Sequence, residues 1–554
     1  MIKNFKWTLV LVLSLFGLTA AGLYQDKLFE ISKNLEIFTR IYKELNSGFV
    51  DDLDPNILMK TAIDAMVNSL DPYTNYVTES QVESDRISQD DRYQGIGARV
   101  GLIDKEYTII EPYAGGPAAE SGLKAGDKII AIDGISIKEK TIEEINTIIR
   151  GIPGTDVNLT IVKPGKKEEI IKLTRGEVNI PNVPYSGMVS PEIGYINLTT
   201  FTANASGNIK NAFKELKTKN PSMKGVILDL RQNGGGLLSE AVNICNLFLP
   251  QGEVVVTTKG KVKENDQTFK TMTAPMDLEI PVAVLIDKRS ASASEIVSGV
   301  IQDMDRGVII GQRSFGKGLV QNTKNTGYNS ILKLTTSKYY IPSGRCIQGV
   351  EYENGFPKDI PDDKRSKFKT KNGRTVLDGG GVTPDVKLTP VDISELTIAL
   401  LEKNMIFHFV TQYVLSNDSI EEPEKFVFDD FTAFEKFCKD KNFTYQTSIE
   451  KNLAELKNAA LKSNQKDIYN SDIVNLENKI KQEKEKSWSA NKKEILREIE
   501  KEIVSRYYYQ SGKVRYSLQK DAEISEAVSL LTDHKKYSKN TQKITPLAAI
   551  YPLY

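Results

Sequence analysis

The stretch from Pro281 to Gln321 constrains the fold of this chain more than any other. PVAVLID is a short run rich in Val, Ile and Leu, which reads as a buried strand. The small-residue segment KRSASASEIVSGVIQDMDRG follows, and Ile296, Val297, Val300 and Ile301 place the apolar face of a helix that opens near Ser290, Ser292 and Ser294. Unpaired backbone N–H groups and the positive end of the helix dipole gather at such a start. A serine in that turn therefore has ready stabilisation for negative charge on its reaction partner, which suits an acyl-transfer nucleophile. A second apolar run, Val308-Ile309-Ile310, leads to the glycine-flanked Lys317 in Gly316-Lys317-Gly318, and Gln321 stands four residues beyond the lysine.

A serine nucleophile needs a base. Histidine is the usual one, yet the 554 residues include two, His408 and His534, both in the charged C-terminal third, which argues against a Ser-His-Asp triad. A Ser-Lys dyad remains, in which burial must lower a lysine from about 10.4 by roughly three units before it is neutral near pH 7. The glycines around Lys317 are expected to let the backbone pass close to the serine turn. Gly311 to Lys317 also fits G-x-x-x-x-G-K, but Gly318 stands where a magnesium-binding Ser or Thr belongs, and LVQNTKNTGYNSILKL reads as strand and turn. A phosphate cradle needs a helix there, so nucleotide binding is set aside.

SASASE, the S-F-G-K-G-x-V-Q string and D-L-R-x-N-G-G-G at 229–236 together resemble the carboxyl-terminal processing (tail-specific) serine proteases, and the resemblance spans most of Leu70 to Leu388. It implies a multidomain α+β fold: an N-terminal helical region, a PDZ domain, an α/β (crotonase-like βαβ) protease core and a helical C-terminal extension. By the family's pattern the nucleophile lies 25 residues before the lysine, which selects Ser292. Lys317 is then the general base and Gln321 orients it. The oxyanion hole is expected from the N–H of Ala293 and one glycine N–H of the 234–236 turn; Gly235 is favoured, although the sequence does not separate it from its neighbours. No metal or cofactor is implied.

Domain boundaries follow from composition and pattern. Residues 1–23 carry Lys3 and Lys6 ahead of WTLVLVLSLFGLTAAGL, the pattern of a signal peptide or an N-terminal membrane anchor, so an exported protein is expected, either periplasmic or membrane-anchored and facing the periplasm or the outside. Residues 24–91 read as helical, broken at Leu70-Asp-Pro-Tyr-Thr because Pro72 disfavours helix at Asp71. Residues 92–178 alternate apolar and polar positions, and PAAESGLKAGDKIIAIDG resembles PDZ domains. In such domains a peptide adds as a strand and a glycine-containing loop holds its terminal carboxylate; Gly95, Ile96, Gly97 and Ala98 occupy that loop position. The helix from Thr141 to Arg150 is expected to wall the groove, with Ile145 and Ile149 among its apolar contacts.

Residues 179–390 form the catalytic portion, and residues 391–554 a Lys-, Glu- and Asn-rich helical extension, read either as solvated helices or as a surface for an adaptor or self-association. Lys plus Arg equals Asp plus Glu at 73 each, which gives no indication of nucleic acid. The expected partners are proteins or peptides with apolar C-terminal tails. The reading is an exported serine endopeptidase that captures a tail through the PDZ domain and cleaves through an acyl-enzyme. Its alternative is a PDZ scaffold that has lost catalysis, whose mark would be replacement at Ser292, Lys317 or Gln321.

Overall fold

The computed structural model describes residues 27–79, 81–82, 92–353, 356–359, 361–389, 393–462 and 466–541. The segment 1–23 lies outside the described residues, and so does 83–91. Among the described residues no helix is long and apolar enough to cross a membrane.

The chain divides into two units, one holding the residues up to Tyr76 with Glu353 and Phe356, the other holding the rest. In the first, a helix over 27–48 precedes a second helix, Pro55–Asn68. Asp54 caps the latter through the amides of Asn56 and Ile57, and Pro55 occupies its first turn. The expected break follows: the Asp71 carboxylate accepts from the amides of Tyr73 and Thr74, each at 2.8 Å, closing a local turn.

The second unit includes a six-stranded antiparallel sheet and a helix: Ala98–Ile103 (β1), Glu106–Pro112 (β2), Lys128–Ile132 (β3), Ile142–Ile149 (α1), Asp156–Val162 (β4) and Glu168–Thr174 (β5), with the short strand Ile135–Ser136 also paired to β3. Alternation sets its core, as Val157, Leu159 and Ile161 of β4 all point inward at 0 % exposure. Thr141 and Glu144 cap α1 reciprocally. Ile145 and Ile149, expected to line a ligand groove, are instead in this core at 0 % and 1 % exposure. Residues four apart share one helix stripe, and that stripe faces the sheet. Ile142, Asn146 and Ile148 are the partly exposed positions of α1, and Ile142 and Ile148 still pack against this core.

The catalytic portion runs through Tyr185–Ser190 (β6), Ile193–Asn197 (β7), Ala205–Lys219 (α2), Gly225–Asp229 (β8), Leu238–Phe248 (α3), Val254–Gly260 (β9), Val282–Ile286 (β10), Ala293–Asp303 (α4), Val308–Gly311 (β11), Leu319–Gly327 (β12), Ser330–Tyr340 (β13) and Val386–Lys387 (β14). Its main sheet has the order β6-β7-β8-β10-β11-β14, parallel except for β6. Every residue of β8, β10 and β11 is buried. That explains their unbroken apolar runs, because a parallel sheet is covered on both faces. On one face lie α2, α3 and α4, with Ile209, Phe213, Phe248, Ile296 and Val300. The strands β9, β13 and β12 belong to a second sheet beside it, antiparallel in these pairings, in which Gln267–Lys270 also pairs with β9.

The other face is covered from far along the chain. Helices Met405–Ser416 (α5), Phe431–Asp440 (α6) and Lys492–Leu518 (α7, kinked where Tyr509 leaves helical geometry at φ 56° and ψ −156°) share a core with Phe409, Phe434, Ile495 and Ile499. Ala522–Thr532 (α8) then lays Ile524, Ala527, Leu530 and Leu531 onto Tyr195, Ile227, Leu285 and Ile310 of the main sheet. The region expected as one helical extension therefore splits between a domain of its own and a layer of the catalytic sheet. Arg231, just after β8, ties the two together through Asp521 at 2.7 Å and Glu523 at 2.6 Å, at the start of α8.

Candidate active site

Strand β10 ends where Asp287 accepts from the amides of Arg289 and Ser290, both at 3.0 Å, and the chain turns into α4. Three serines lie in this turn in different surroundings. Ser290 is fully buried and donates its hydroxyl to Leu230 O at 2.8 Å; Ser294 is fully buried and donates to Asn233 O at 2.8 Å. Ser292, between them, is only partly buried. Its backbone sits at φ 54° and ψ −112°, a conformation that costs a non-glycine residue about 1–3 kcal/mol and persists only when its surroundings hold it.

Glu295 supplies much of that hold. The side chain is fully buried. Its Oε1 accepts from Ser314 Oγ and Gly316 N, both at 2.6 Å, and its Oε2 accepts from Ser292 N and Lys317 N, both at 2.8 Å. Burial pushes its pKa above the ordinary carboxylate range, while the hydrogen bonds from Ser314, Lys317, Gly316 and Ser292 oppose the rise. Reading the sequence missed this residue. The one sign was a Glu three positions after a helix-start serine, a spacing that ordinarily marks a capping pair.

Lys317 is half-buried, in a stretch from 313 to 318 that has no regular structure. Its flanking glycines serve a second close approach besides the expected one to the serine turn. A methyl group on Gly316, which has φ +91°, would stand 2.8 Å from Gly349 Cα, and one on Gly318 would stand 2.6 Å from Gln348 N. The lysine loop threads a slot beside Gln348 and Gly349, where Gly349 N donates to Gly316 O at 2.7 Å, and it also lies against the serine turn, where Phe315 N donates to Ser290 O at 3.0 Å. Gln321 is half-buried on β12, where its Nε2 donates to Thr335 Oγ1 at 3.3 Å across the hairpin.

The three glycines after Asn233 are not equivalent. Gly234 has no atom within 4 Å of the place a methyl would take. A methyl on Gly236 would meet Phe201 O at 2.5 Å. Gly235, at φ +103°, lies against the serine turn, where a methyl would stand 2.8 Å from Ser292 Cβ and 3.0 Å from Ala293 N. The Gly235 N–H itself donates to Asn233 Oδ1 at 2.9 Å.

In the domain of β1 to β5, Gly95, Ile96, Gly97 and Ala98 lead into β1 and are buried. Gly97 has φ +73°, with Pro117 and Gly116 so near that a side chain would collide with them. Ile96 O accepts from Ala118 N at 2.8 Å, which by planarity of the peptide turns the Gly97 N–H to the opposite side. The C-terminal end of α1 joins the loop through a bridge between Gly95 and Arg150.

Comparison with known proteins adds to this geometry. Residues 192–361 match the family model described as Peptidase family S41, residues 108–163 that of the PDZ domain, and residues 396–531 that of a "Probable PDZ-protease, C-terminal helical domain". The chain is 37% identical over 331 residues to a carboxy-terminal-processing protease of Bartonella bacilliformis, covering 59% of this chain and 75% of that one. It is 35% identical over 331 residues to a "Probable CtpA-like serine protease" of Staphylococcus aureus, covering 59% of this chain and 65% of the relative. Among solved structures, a photosystem II D1 C-terminal processing protease is 25% identical, with 63% of this chain and 87% of that one covered and a TM-score of 0.35.

Proposed function

The chain belongs to the carboxy-terminal-processing proteases, S41 serine peptidases that carry a PDZ domain, and from that premise we propose an exported endopeptidase that cleaves by a Ser292–Lys317 dyad. The observation that carries the dyad is the shared carboxylate: one oxygen of Glu295 holds the amides of both Ser292 and Lys317. Of the three serines in the turn, Ser292 alone is not fully buried, which favours it as the nucleophile.

In this mechanism a substrate tail adds as a strand beside β1, and its terminal carboxylate meets the amides of the Gly95–Ala98 loop. Lys317 Nζ, in its neutral form, takes the proton of Ser292 Oγ as that oxygen attacks the peptide carbonyl. The oxyanion faces the N–H of Ala293 and that of Gly235, which leaves Asn233 Oδ1 as charge develops. Each such donor contributes about 3–4 kcal/mol. Lys317 then gives its proton to the leaving amine, and the acyl group remains on Ser292. Water, deprotonated by Lys317, releases the acid. Gln321, near the start of β12, orients the lysine. Export is assigned to residues 1–23.

The test is digestion of one loosely folded protein with an apolar C-terminal tail beside a copy ending in charged residues. Wild type should remove the apolar-tailed copy selectively. Lys317→Ala should lose about 10²–10⁴-fold in turnover, the range of general-base catalysis, while binding a tail peptide as before. Substantial turnover by Lys317→Ala would remove the dyad, and equal loss of both copies would remove tail recognition.

A further inference from the structure

Behind the two catalytic loops stands a tyrosine that neither the sequence pattern nor the mechanism above uses. Tyr339, near the end of β13, is 1 % exposed, whereas its neighbour Lys338 points to solvent, as alternation along a strand requires. Its ring belongs to the same core as Ile296 and Val297 of α4 and Ile341 and Ile347 beyond the strand. Packing on these sides fixes where the hydroxyl can reach. The hydroxyl donates to Lys317 O and also lies 3.2 Å from Ser292 O. The Tyr339 amide donates to Gly318 O at 3.0 Å, so the same residue grips the lysine loop twice.

The two carbonyls differ in how firmly they are held by other means. Ser292 O already accepts from the amides of Glu295 and Ile296, at 2.9 and 3.0 Å, in the first turn of α4. It is a fixed point. Lys317 O belongs to an irregular stretch whose placement depends on tethers, and Glu295 reaches only the amide side of it. A phenol has one proton, and here it lies between a carbonyl of the helix start and a carbonyl of the lysine loop.

We propose that Tyr339 is a positioning residue for catalysis: its hydroxyl bridges the backbone carbonyls of Ser292 and Lys317 and sets the spacing from which Lys317 reaches Ser292 Oγ. This rests on the dyad reading. Glu295 and Tyr339 then act as two halves of one clamp, the carboxylate on the amides and the phenol on the carbonyls. Holding both sides fixes the direction in which the lysine side chain leaves the backbone. A displacement of about 1 Å at a reacting group can reduce a rate about 10²-fold, so a tether of this kind matters even though it touches no substrate.

Tyr339→Phe in the full chain keeps the packed ring and removes the bridge. The expected result is a fall in kcat of about 10–100-fold, with KM for a tailed substrate unchanged and the unfolding midpoint within a few degrees of wild type. Labelling of the serine by a fluorophosphonate should slow by a similar factor. In a Lys317→Ala background the same change should slow labelling no further, because its effect passes through the lysine. A kcat within twofold of wild type overturns the proposal. So does a loss that persists in full in the Lys317→Ala background, or a Tyr339→Phe chain that does not fold, since either makes the hydroxyl a general strut. Lys317→Ala by itself separates the two claims: wild-type turnover in that variant removes the dyad and the clamp together, whereas an inactive Lys317→Ala beside a fully active Tyr339→Phe removes the clamp alone.

Discussion

Gly235→Ala should lower peptide cleavage by about 10³-fold or more, while Gly234→Ala cleaves at close to the wild-type rate. The contrast comes from the space around each residue. A methyl on Gly235 stands 2.8 Å from Ser292 Cβ and 3.0 Å from Ala293 N, so it occupies the ground where the oxyanion would meet its donors. Loss of one such donor alone costs about 10²–10³ in kcat, and here the methyl also presses on the nucleophile. The φ of +103° adds roughly 1–2 kcal/mol of backbone strain for alanine, which should appear as a lower unfolding midpoint without loss of the fold. Gly234 has neither a positive φ nor a neighbour within 4 Å of its methyl position. Gly236→Ala, against Phe201 O at 2.5 Å, should show mainly as instability. Rates and melting curves of the three variants separate a catalytic glycine from two structural ones. Equal activity of Gly234→Ala and Gly235→Ala would remove Gly235 from the oxyanion site.

Glu295→Gln should lower kcat by about 100-fold or more, although the two side chains have the same shape. All four groups on this carboxylate, from Ser292, Ser314, Gly316 and Lys317, act as donors. An amide puts its NH₂ against the Ser292 and Lys317 amides in one orientation and against the Gly316 amide and the Ser314 hydroxyl in the other, so at least one backbone donor loses its acceptor whichever way it turns, at about 1–3 kcal/mol each. The nucleophile turn and the lysine loop then lose the group they share. Protonation of Glu295 does to the wild type part of what Gln does permanently. Because burial holds its pKa above the ordinary value of about 4.3, activity should fall on acidification at a pH above that value. The effect on stability has the opposite sign. A carboxyl whose folded pKa is raised gives its full stabilisation below the unfolded pKa and loses it as pH rises through the folded one. Acid inactivation through Glu295 should therefore occur while circular dichroism at the same pH still reports a folded chain. An acid limb of kcat/KM that persists in Glu295→Gln would assign it to another group.

Much of this architecture was legible in the chain itself. The unbroken runs VILD, VAVLI and VII announced strands buried on both faces, and the alternation from β1 to β5 announced a half-exposed meander. The choice of Ser292 over Ser290 and Ser294 was not legible in composition or periodicity. It came from the resemblance, while in the fold the three differ by what their hydroxyls bond and how far they are exposed. Glu295 was hidden because a capping pair and a catalytic clamp have the same spacing at a helix start. Gly316 and Gly318 were recognised as sites of close approach, but what they approach, Gln348 and Gly349, lies 30 residues on and follows from tertiary packing. Helix α8 was the hardest to place. An amphipathic helix shows that it covers something, not what, and its partner strands lie more than 200 residues earlier.

The central claim is that Ser292, activated by Lys317, attacks the peptide bond. Its most direct test is mass-spectrometric mapping after incubation with a fluorophosphonate that forms a stable ester with activated serines. The expected result is one adduct, on Ser292, that forms much more slowly in Lys317→Ala and stays absent from Ser292→Ala. An adduct on another serine, or labelling of Ser292 at an unchanged rate without the lysine, would contradict the mechanism.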